Sequence, residues 1–254
     1  MNRLGRTRSA GRAAAFGLWT LSLLAGVQIH QRAVEEKARY EVWQRWMKAW
    51  TRGLLALLGV EHVVLPSEGA PPGLGARLVV SNHRSPVDIA LLLTYFGGHV
   101  LSRDDLANWP IIGVAARKSD TIFVDRNSAN SGLSAIRQIR QRLRQVRTVI
   151  IFPEGGTFRG DEAREFHAGA FAAVRRLQVE LVPAGIAYEP GSEFFDESFM
   201  QHFARVAARP KTRVALCFGQ GRPAQGSPAQ MAAEMHQEVQ ALMHKARNLL
   251  QSEY

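Results

Sequence analysis

The sequence predicts an α/β domain preceded by two membrane-associating helices, and three observations carry that prediction. From Leu78 onward, short apolar runs alternate with longer stretches of helical periodicity, the pattern of strands and helices in alternation. Ahead of them stands a charge-free segment, residues 13–29, behind a cluster of arginines. Of the 254 residues, 46% are hydrophobic and 21% charged, a balance that excludes both a disordered chain and a bundle of membrane spans.

The charge is placed unevenly. Within a net charge of +10, residues 1–60 hold ten Lys or Arg against three acids. A polybasic end points to an anionic surface, either lipid headgroups or nucleic acid. Cys217 is the only cysteine, so an intrachain disulfide and a cysteine-based zinc site are excluded, and a reducing, cytosol-facing compartment fits.

Arg3, Arg6, Arg8 and Arg12 lead into AAAFGLWTLSLLAGVQI. Its seventeen residues sit at the lower limit for a bilayer core of ~30 Å, which takes about 20 residues to cross. HQRAVEEKARY follows with no small-x-small cleavage site, which argues against a removed signal peptide. Residues 40–58 place Val42, Trp43, Trp46, Met47, Trp50, Leu54, Leu57 and Leu58 near helical spacing, with Arg45, Lys48 and Arg52 between them. Three tryptophans beside basic residues suit an interfacial helix; the same stripe suits a helix packed on its own domain. With the arginines in the cytosol, a full span would strand this second helix outside. The reading therefore favours a hairpin dipping into one leaflet, monotopic on the cytoplasmic face of the inner membrane, with a single span as the competitor. Residues 1–60 form this region and 61–254 the α/β domain, with PSEGAPPGLG at 66–75 as connector.

Within the domain the apolar runs fall at 78–80, 87–96, 99–102, 121–124, 131–146, 148–152, 168–177, 181–187 and 213–218, and a final helix covers 228–250. No internal repeat or low-complexity tract interrupts them. Arg137, Arg140, Arg142, Arg144 and Arg147 follow one another without an acid, which is a solvated helix face or an anion-binding one.

The densest cluster of chemistry, SNHRSPVD at 81–88, directly follows the strand LVV. A helix should begin here, with Ser85 as N-cap, Pro86 in the first helical position and Asp88 closing a capping box. The spacing also lets His83 reach back to Asp88. A carboxylate on one ring nitrogen fixes the tautomer and leaves the other nitrogen as a base for a substrate hydroxyl. Two further strands end in Asp125-Arg126 and in Pro153-Glu154-Gly155-Gly156-Thr157-Phe158-Arg159-Gly160. Loops at strand carboxyl ends line the ligand crevice of α/β sheets, glycines admit an anion to the backbone N–H groups, and arginine grips phosphate. Together with His83 these pieces describe a phosphate-bearing substrate with a hydroxyl to activate.

NHRSPVD at 82–88, IFVDR at 122–126, IFPEGGTFRG at 151–160 and LVPAGIA at 181–187 resemble, in order and spacing, the four blocks of the glycerolipid acyltransferases, specifically the lysophospholipid acyltransferases acting on 1-acylglycerol-3-phosphate. FHAGAF at 166–171 is similar to an element that follows the third block. The resemblance covers about residues 55–220. It implies a mixed, largely parallel sheet flanked by helices, and a transfer that needs no bound cofactor, metal or acyl-enzyme. In it His83 is the general base and Asp88 orients it, while Asn82 lies among the substrate-binding positions. Arg126 would hold the substrate phosphate, Glu154 and Gly155 would shape the acceptor loop, Thr157 or Arg159 would help bind phosphate, and Val182 and Pro183 would belong to the acyl-donor side. The co-substrate would be acyl-CoA or acyl-acyl carrier protein.

Two departures bear on the acceptor. Asp120 stands where the family's second block usually begins with glycine, and Gly156 interrupts the usual Phe-Pro-Glu-Gly-Thr-Arg. The leading expectation is transfer to lysophosphatidic acid, giving phosphatidic acid. The alternatives are the same chemistry on a lyso-ornithine lipid or another lysophospholipid, or a non-catalytic basic membrane-binding module. Nucleic acid is not an expected partner, because no standard nucleic-acid motif is present. His83 and Asp88 are too few ligands for a metal-dependent hydrolase.

Overall fold

The computed structural model describes residues 2–66, 75–103, 113, 121–125 and 128–252. Helix α1 (Arg3–Arg32) begins where the Asn2 side chain accepts a hydrogen bond from the Gly5 N–H at 2.9 Å, so the arginine cluster is itself helical. A 3-10 turn (Glu36–Ala38) leads into α2 (Arg39–Leu58), which stops at Gly59, a residue in the left-handed region with φ 68°.

The two helices run antiparallel and interlock through glycines and tryptophans. Trp50 Nε1 donates to Thr20 Oγ1 at 3.0 Å, and Trp46 Nε1 meets His30 Nδ1 at 3.1 Å. A Cβ on Gly26 would come within 2.4 Å of the Trp46 ring, and one on Gly53 within 2.3 Å of Trp19. Trp19, Trp46 and Trp50 are thus packed between the two helices, and no tryptophan of α1 or α2 is exposed, while Leu18, Leu21 and Ile29 face outward.

Two of the four leading arginines are also occupied. Arg12 Nη1 donates to the carbonyls of Leu58, Ala207 and Arg209 at 2.9, 3.2 and 2.7 Å, and Arg8 Nη1 donates to Ala208 at 2.9 Å. Helix carboxyl ends leave carbonyls without partners and carry partial negative charge, so they take up guanidinium groups readily. The polybasic cluster read as facing an anionic surface therefore spends part of its charge inside the molecule.

The rest builds one eight-stranded sheet: β1 (Val60–Pro66), β2 (Arg77–Ser81), β3 (His99–Arg103), β4 (Ile122–Val124), β5 (Thr148–Ile151), β6 (Glu180–Tyr188), β7 (Thr212–Phe218) and β8 (Arg222–Pro223). Its order is β1-β7-β6-β2-β5-β3-β4, with β8 on β6. It is parallel except where β6 pairs with β7 and with β8.

Helices cover both faces, as the uninterrupted burial of β2, β5 and β6 requires. On one face Val79, Ile150, Val182 and Ala184 pack with α2, α3 (Val87–Phe96) and α5 (Phe199–Ala208). On the other, Leu78, Val80, Val149, Ile151 and Leu181 pack with α4 (Ala129–Arg144), a 3-10 segment (Ala168–Val174) and α6 (Pro228–Ser252). The apolar run at 168–177 therefore gives only this 3-10 segment.

Gly185 lets α6 lie directly on β6, because a Cβ there would stand 2.3 Å from Met243 N and 2.4 Å from Leu242 C. Backbone cannot move aside as a side chain can. Gly185→Ala should therefore lower stability by about 1–3 kcal/mol, the usual scale of overpacking. Denaturant unfolding followed by circular dichroism measures it, and an unchanged midpoint would refute the contact.

Candidate active site

β2, β5 and β6 lie side by side and parallel, so their carboxyl ends open at one edge of the sheet. At the end of β2 Asn82 is fully buried and spends its amide on the neighbouring strand: Nδ2 donates to the Ile186 carbonyl at 2.9 Å, and Oδ1 accepts from the Ile186 N–H at 2.8 Å. This tie sets the exit direction of the chain.

His83 follows. Its Nδ1 lies 2.8 Å from Asp88 Oδ2, and its ring stacks on Phe152 with centroids 4.1 Å apart and planes at 19°. The carboxylate assigns the hydrogen to Nδ1 and leaves Nε2 to accept a proton. The side chain keeps 16% of its surface exposed, while Asp88 keeps none, so the ring is reachable from solvent and its partner is not.

Asp88 meets both the histidine and the start of α3, but the helix begins at Val87 with Pro86 as its cap in place of Ser85, and the reciprocal capping box is not formed, because the Asp88 N–H donates to the Ser85 carbonyl. Oδ2 also accepts from the backbone N–H groups of Arg84 at 2.6 Å and Ser85 at 2.8 Å, while Ser85 Oγ accepts from Val87 N–H at 3.2 Å. One carboxylate oxygen thus ties the loop that leads into α3 to the histidine. An anion at a helix amino terminus is favoured in addition by the helix dipole.

The loop after β5 is tied to this turn by a buried ion pair that sequence reasoning did not single out. Arg84 Nη1 donates to both Glu154 oxygens at 3.1 and 3.0 Å, with the two side chains 1% and 0% exposed. Glu154 also accepts from the backbone N–H of His83 at 2.5 Å and of Arg164 at 2.9 Å. Arg84 Nε and Nη2 donate to the Gly160 and Glu162 carbonyls, each at 2.9 Å. The loop then folds back on His83, whose carbonyl accepts from Phe158 N–H at 3.1 Å. Gly155, with φ 75°, makes the turn, and a Cβ there would meet the His167 ring at 3.0 Å.

His83, Asp88, Glu154 and Gly155 are thus brought together at one edge. Arg159 stands at the rim with its guanidinium 4.3 Å from the Phe195 ring centroid. Thr157 is half-buried in the same loop. Val182 and Pro183 are buried within β6, opposite Val79 and Val80. Arg126 and Asp120 lie outside the described residues.

Three further side chains join the site from distant positions. Tyr188, at the end of β6, donates its hydroxyl to Asp88 Oδ1 at 2.7 Å. His202 on α5 places Nε2 2.8 Å from Ser85 Oγ and Nδ1 2.8 Å from Glu197 Oε1. Phe194 sets its ring edge-on to His202 and donates its backbone N–H to the Arg84 carbonyl at 2.7 Å. Burial pushes the His202 imidazole below its usual range, and the Arg205 hydrogen bond holds the Glu197 carboxyl low. A signal existed for Tyr188, which follows LVPAGIA directly at the carboxyl end of a strand. For His202 there was none.

The chain is similar to known proteins along most of its length. The acyltransferase family model matches residues 67–187, which contain the histidine turn and the loop after β5. A lyso-ornithine lipid O-acyltransferase of Pseudomonas aeruginosa is 30% identical over 204 residues, 77% of each chain. One from Rhodobacter capsulatus is 29% identical over 80% of this chain and 76% of its own. A 1-acyl-sn-glycerol-3-phosphate acyltransferase of Helicobacter pylori is 30% identical over 43% of this chain and 47% of its own. The crystal structure of the 1-acyl-sn-glycerophosphate (LPA) acyltransferase PlsC from Thermotoga maritima superposes with a TM-score of 0.70 at 17% identity, over 93% of this chain and 98% of that one, a likeness of fold. The match along most of the Pseudomonas protein, together with the family model over residues 67–187, makes this chain a member of the acyltransferase family.

Proposed function

We propose that the protein is a lysolipid O-acyltransferase in which His83 is the general base. The observation that carries the reading is the His83 Nδ1 to Asp88 Oδ2 contact of 2.8 Å, with the base partly exposed and the carboxylate buried. The free hydroxyl of the acceptor gives its proton to His83 Nε2 as its oxygen attacks the thioester carbonyl carbon. The C–S bond breaks, and the thiolate of coenzyme A or of acyl carrier protein leaves and takes the proton back from the imidazolium. Asp88 stabilises that imidazolium in between. The ester forms in one transfer with no acyl-enzyme.

Gly155, Thr157, Arg159 and Arg126 are the headgroup contacts in this reading. Glu154 acts by holding the loop, Val182 and Pro183 by packing beneath the acyl-donor side, and Asn82, with its amide committed to Ile186, by positioning the turn. Membrane attachment rests on α1, which is long and apolar enough to cross a bilayer and turns Leu18, Leu21 and Ile29 outward, 58–69% exposed. With the basic residues on the cytoplasmic side, α1 lies on that face of the inner membrane and brings the site to a lipid held in one leaflet.

Two acceptors fit the chemistry. The four blocks favour 1-acylglycerol-3-phosphate, whereas the relatives matched along most of both chains carry the name lyso-ornithine lipid O-acyltransferase. The acceptor we infer is lyso-ornithine lipid. The test is the ratio of kcat/KM for the two lysolipids with one acyl thioester. A ratio favouring lyso-ornithine lipid supports this assignment, and the reverse ratio returns the acceptor to 1-acylglycerol-3-phosphate.

A further inference from the structure

The two oxygens of Asp88 are loaded unequally. Oδ2 accepts from His83 Nδ1, Arg84 N–H and Ser85 N–H, whereas Oδ1 accepts from the Tyr188 hydroxyl at 2.7 Å. Both residues are buried, Asp88 at 0% and Tyr188 at 1% exposure, so water does not stand in for a lost donor. Burial first, and the Asp88 charge second, push the Tyr188 phenol well above its usual range. The hydroxyl keeps its proton wherever the protein works.

The other flank of Asp88 is fixed as well. Ser85, whose N–H donates to Oδ2, is held through its Oγ by His202, and His202 by Glu197. A neutral His202 donates from Nδ1 to Glu197 and accepts the Ser85 hydroxyl proton at Nε2. The carboxylate is thereby gripped from β6 on one side and from α5 on the other.

We propose that Tyr188 is a positioning residue for acyl transfer: its hydroxyl holds the Asp88 carboxylate turned so that Oδ2 faces His83. This rests on His83 being the base. Without the hydroxyl, Oδ1 is a buried anionic oxygen lacking its donor, a costly state. It is relieved by rotation of Oδ1 toward the donors now served by Oδ2. That weakens the bond to His83 Nδ1 and with it the stabilisation of the imidazolium. Tyr188 touches no reacting atom, so its loss acts on turnover and not on substrate capture.

The experiment compares Tyr188→Phe with wild type in the full chain, using a lysolipid acceptor and an acyl-CoA. The kcat falls about 10- to 100-fold, the scale of one hydrogen bond to a charged group, with both KM values unchanged. On an Asp88→Ala background the same substitution has no further effect, whereas a merely structural role lowers activity by the same factor in both backgrounds. Wild-type kcat in Tyr188→Phe, or equal losses in the two backgrounds, overturns the proposal. If Tyr188→Phe does not fold, Tyr188→Gln, which offers an N–H donor, recovers part of the kcat lost in Tyr188→Leu; equal turnover of these two overturns it. His83→Ala measured alongside separates the readings: full activity there removes the base assignment itself, whereas an inactive His83→Ala beside a fully active Tyr188→Phe removes only the role of Tyr188.

Discussion

His83→Ala lowers acyl transfer about 10²- to 10⁴-fold, the range that a positioned general base contributes, and leaves the fold intact. The ring sits at the rim, 16% exposed, and its side-chain partners are Phe152 by stacking and Asp88 by one hydrogen bond. The His83 backbone contacts to Glu154 and Phe158 persist in the variant, because they use the peptide group. Asp88 keeps the backbone N–H groups of Arg84 and Ser85 and the Tyr188 hydroxyl, so its charge stays compensated. Turnover with a labelled thioester and far-ultraviolet circular dichroism separate the two quantities. A variant with wild-type turnover would remove His83 from the chemistry.

Glu154→Ala has the opposite profile, a large loss of stability that carries activity down with it. The Arg84 guanidinium would remain 1% exposed with no carboxylate, and breaking one side of a buried ion pair costs about 3–5 kcal/mol. The backbone N–H groups of His83 and Arg164 lose their acceptor at the same moment. That releases the histidine turn from the loop after β5. Denaturant unfolding gives the stability loss directly; a midpoint like that of wild type would show that the pair holds nothing together. Replacing both partners, Arg84→Met with Glu154→Leu, should recover part of the lost stability, since no unpaired charge is then buried. It should not restore turnover, because the tie to the His83 backbone is still missing.

The contrast between these two variants follows from which features were local in sequence. His83 and Asp88 are five positions apart, within one strand-to-helix turn, and so is the cap that shares the Asp88 carboxylate. Residues 87–96 read as apolar and end in Gly97-Gly98, and they form α3 with those bounds. Buried on both faces, the central strands show as plain apolar runs. Arg84 and Glu154 are 70 positions apart, and nothing near either one announces a pairing. His202 lies 117 positions from Ser85, on α5, a helix outside the apolar runs of the sequence.

The amino-terminal region shows the same limit. Its helices were legible from periodicity, but the use of their side chains was not. Arg8 and Arg12 go to the carboxyl end of α5, 195 to 200 positions away, and Met47, Leu55 and Leu58 enter the apolar cluster beneath α3. Composition records that a residue is basic or apolar. Only the fold decides whether it meets a lipid, a carbonyl or the core.

The most direct measurement of the central claim is transfer of label from an acyl thioester to a lysolipid by purified protein, wild type beside His83→Ala, with lyso-ornithine lipid and 1-acylglycerol-3-phosphate each as acceptor. The wild type should form an acylated lipid, and that product should be lost with His83. Equal product from both proteins, or none from the wild type with either acceptor, would refute His83-dependent acylation of a lysolipid.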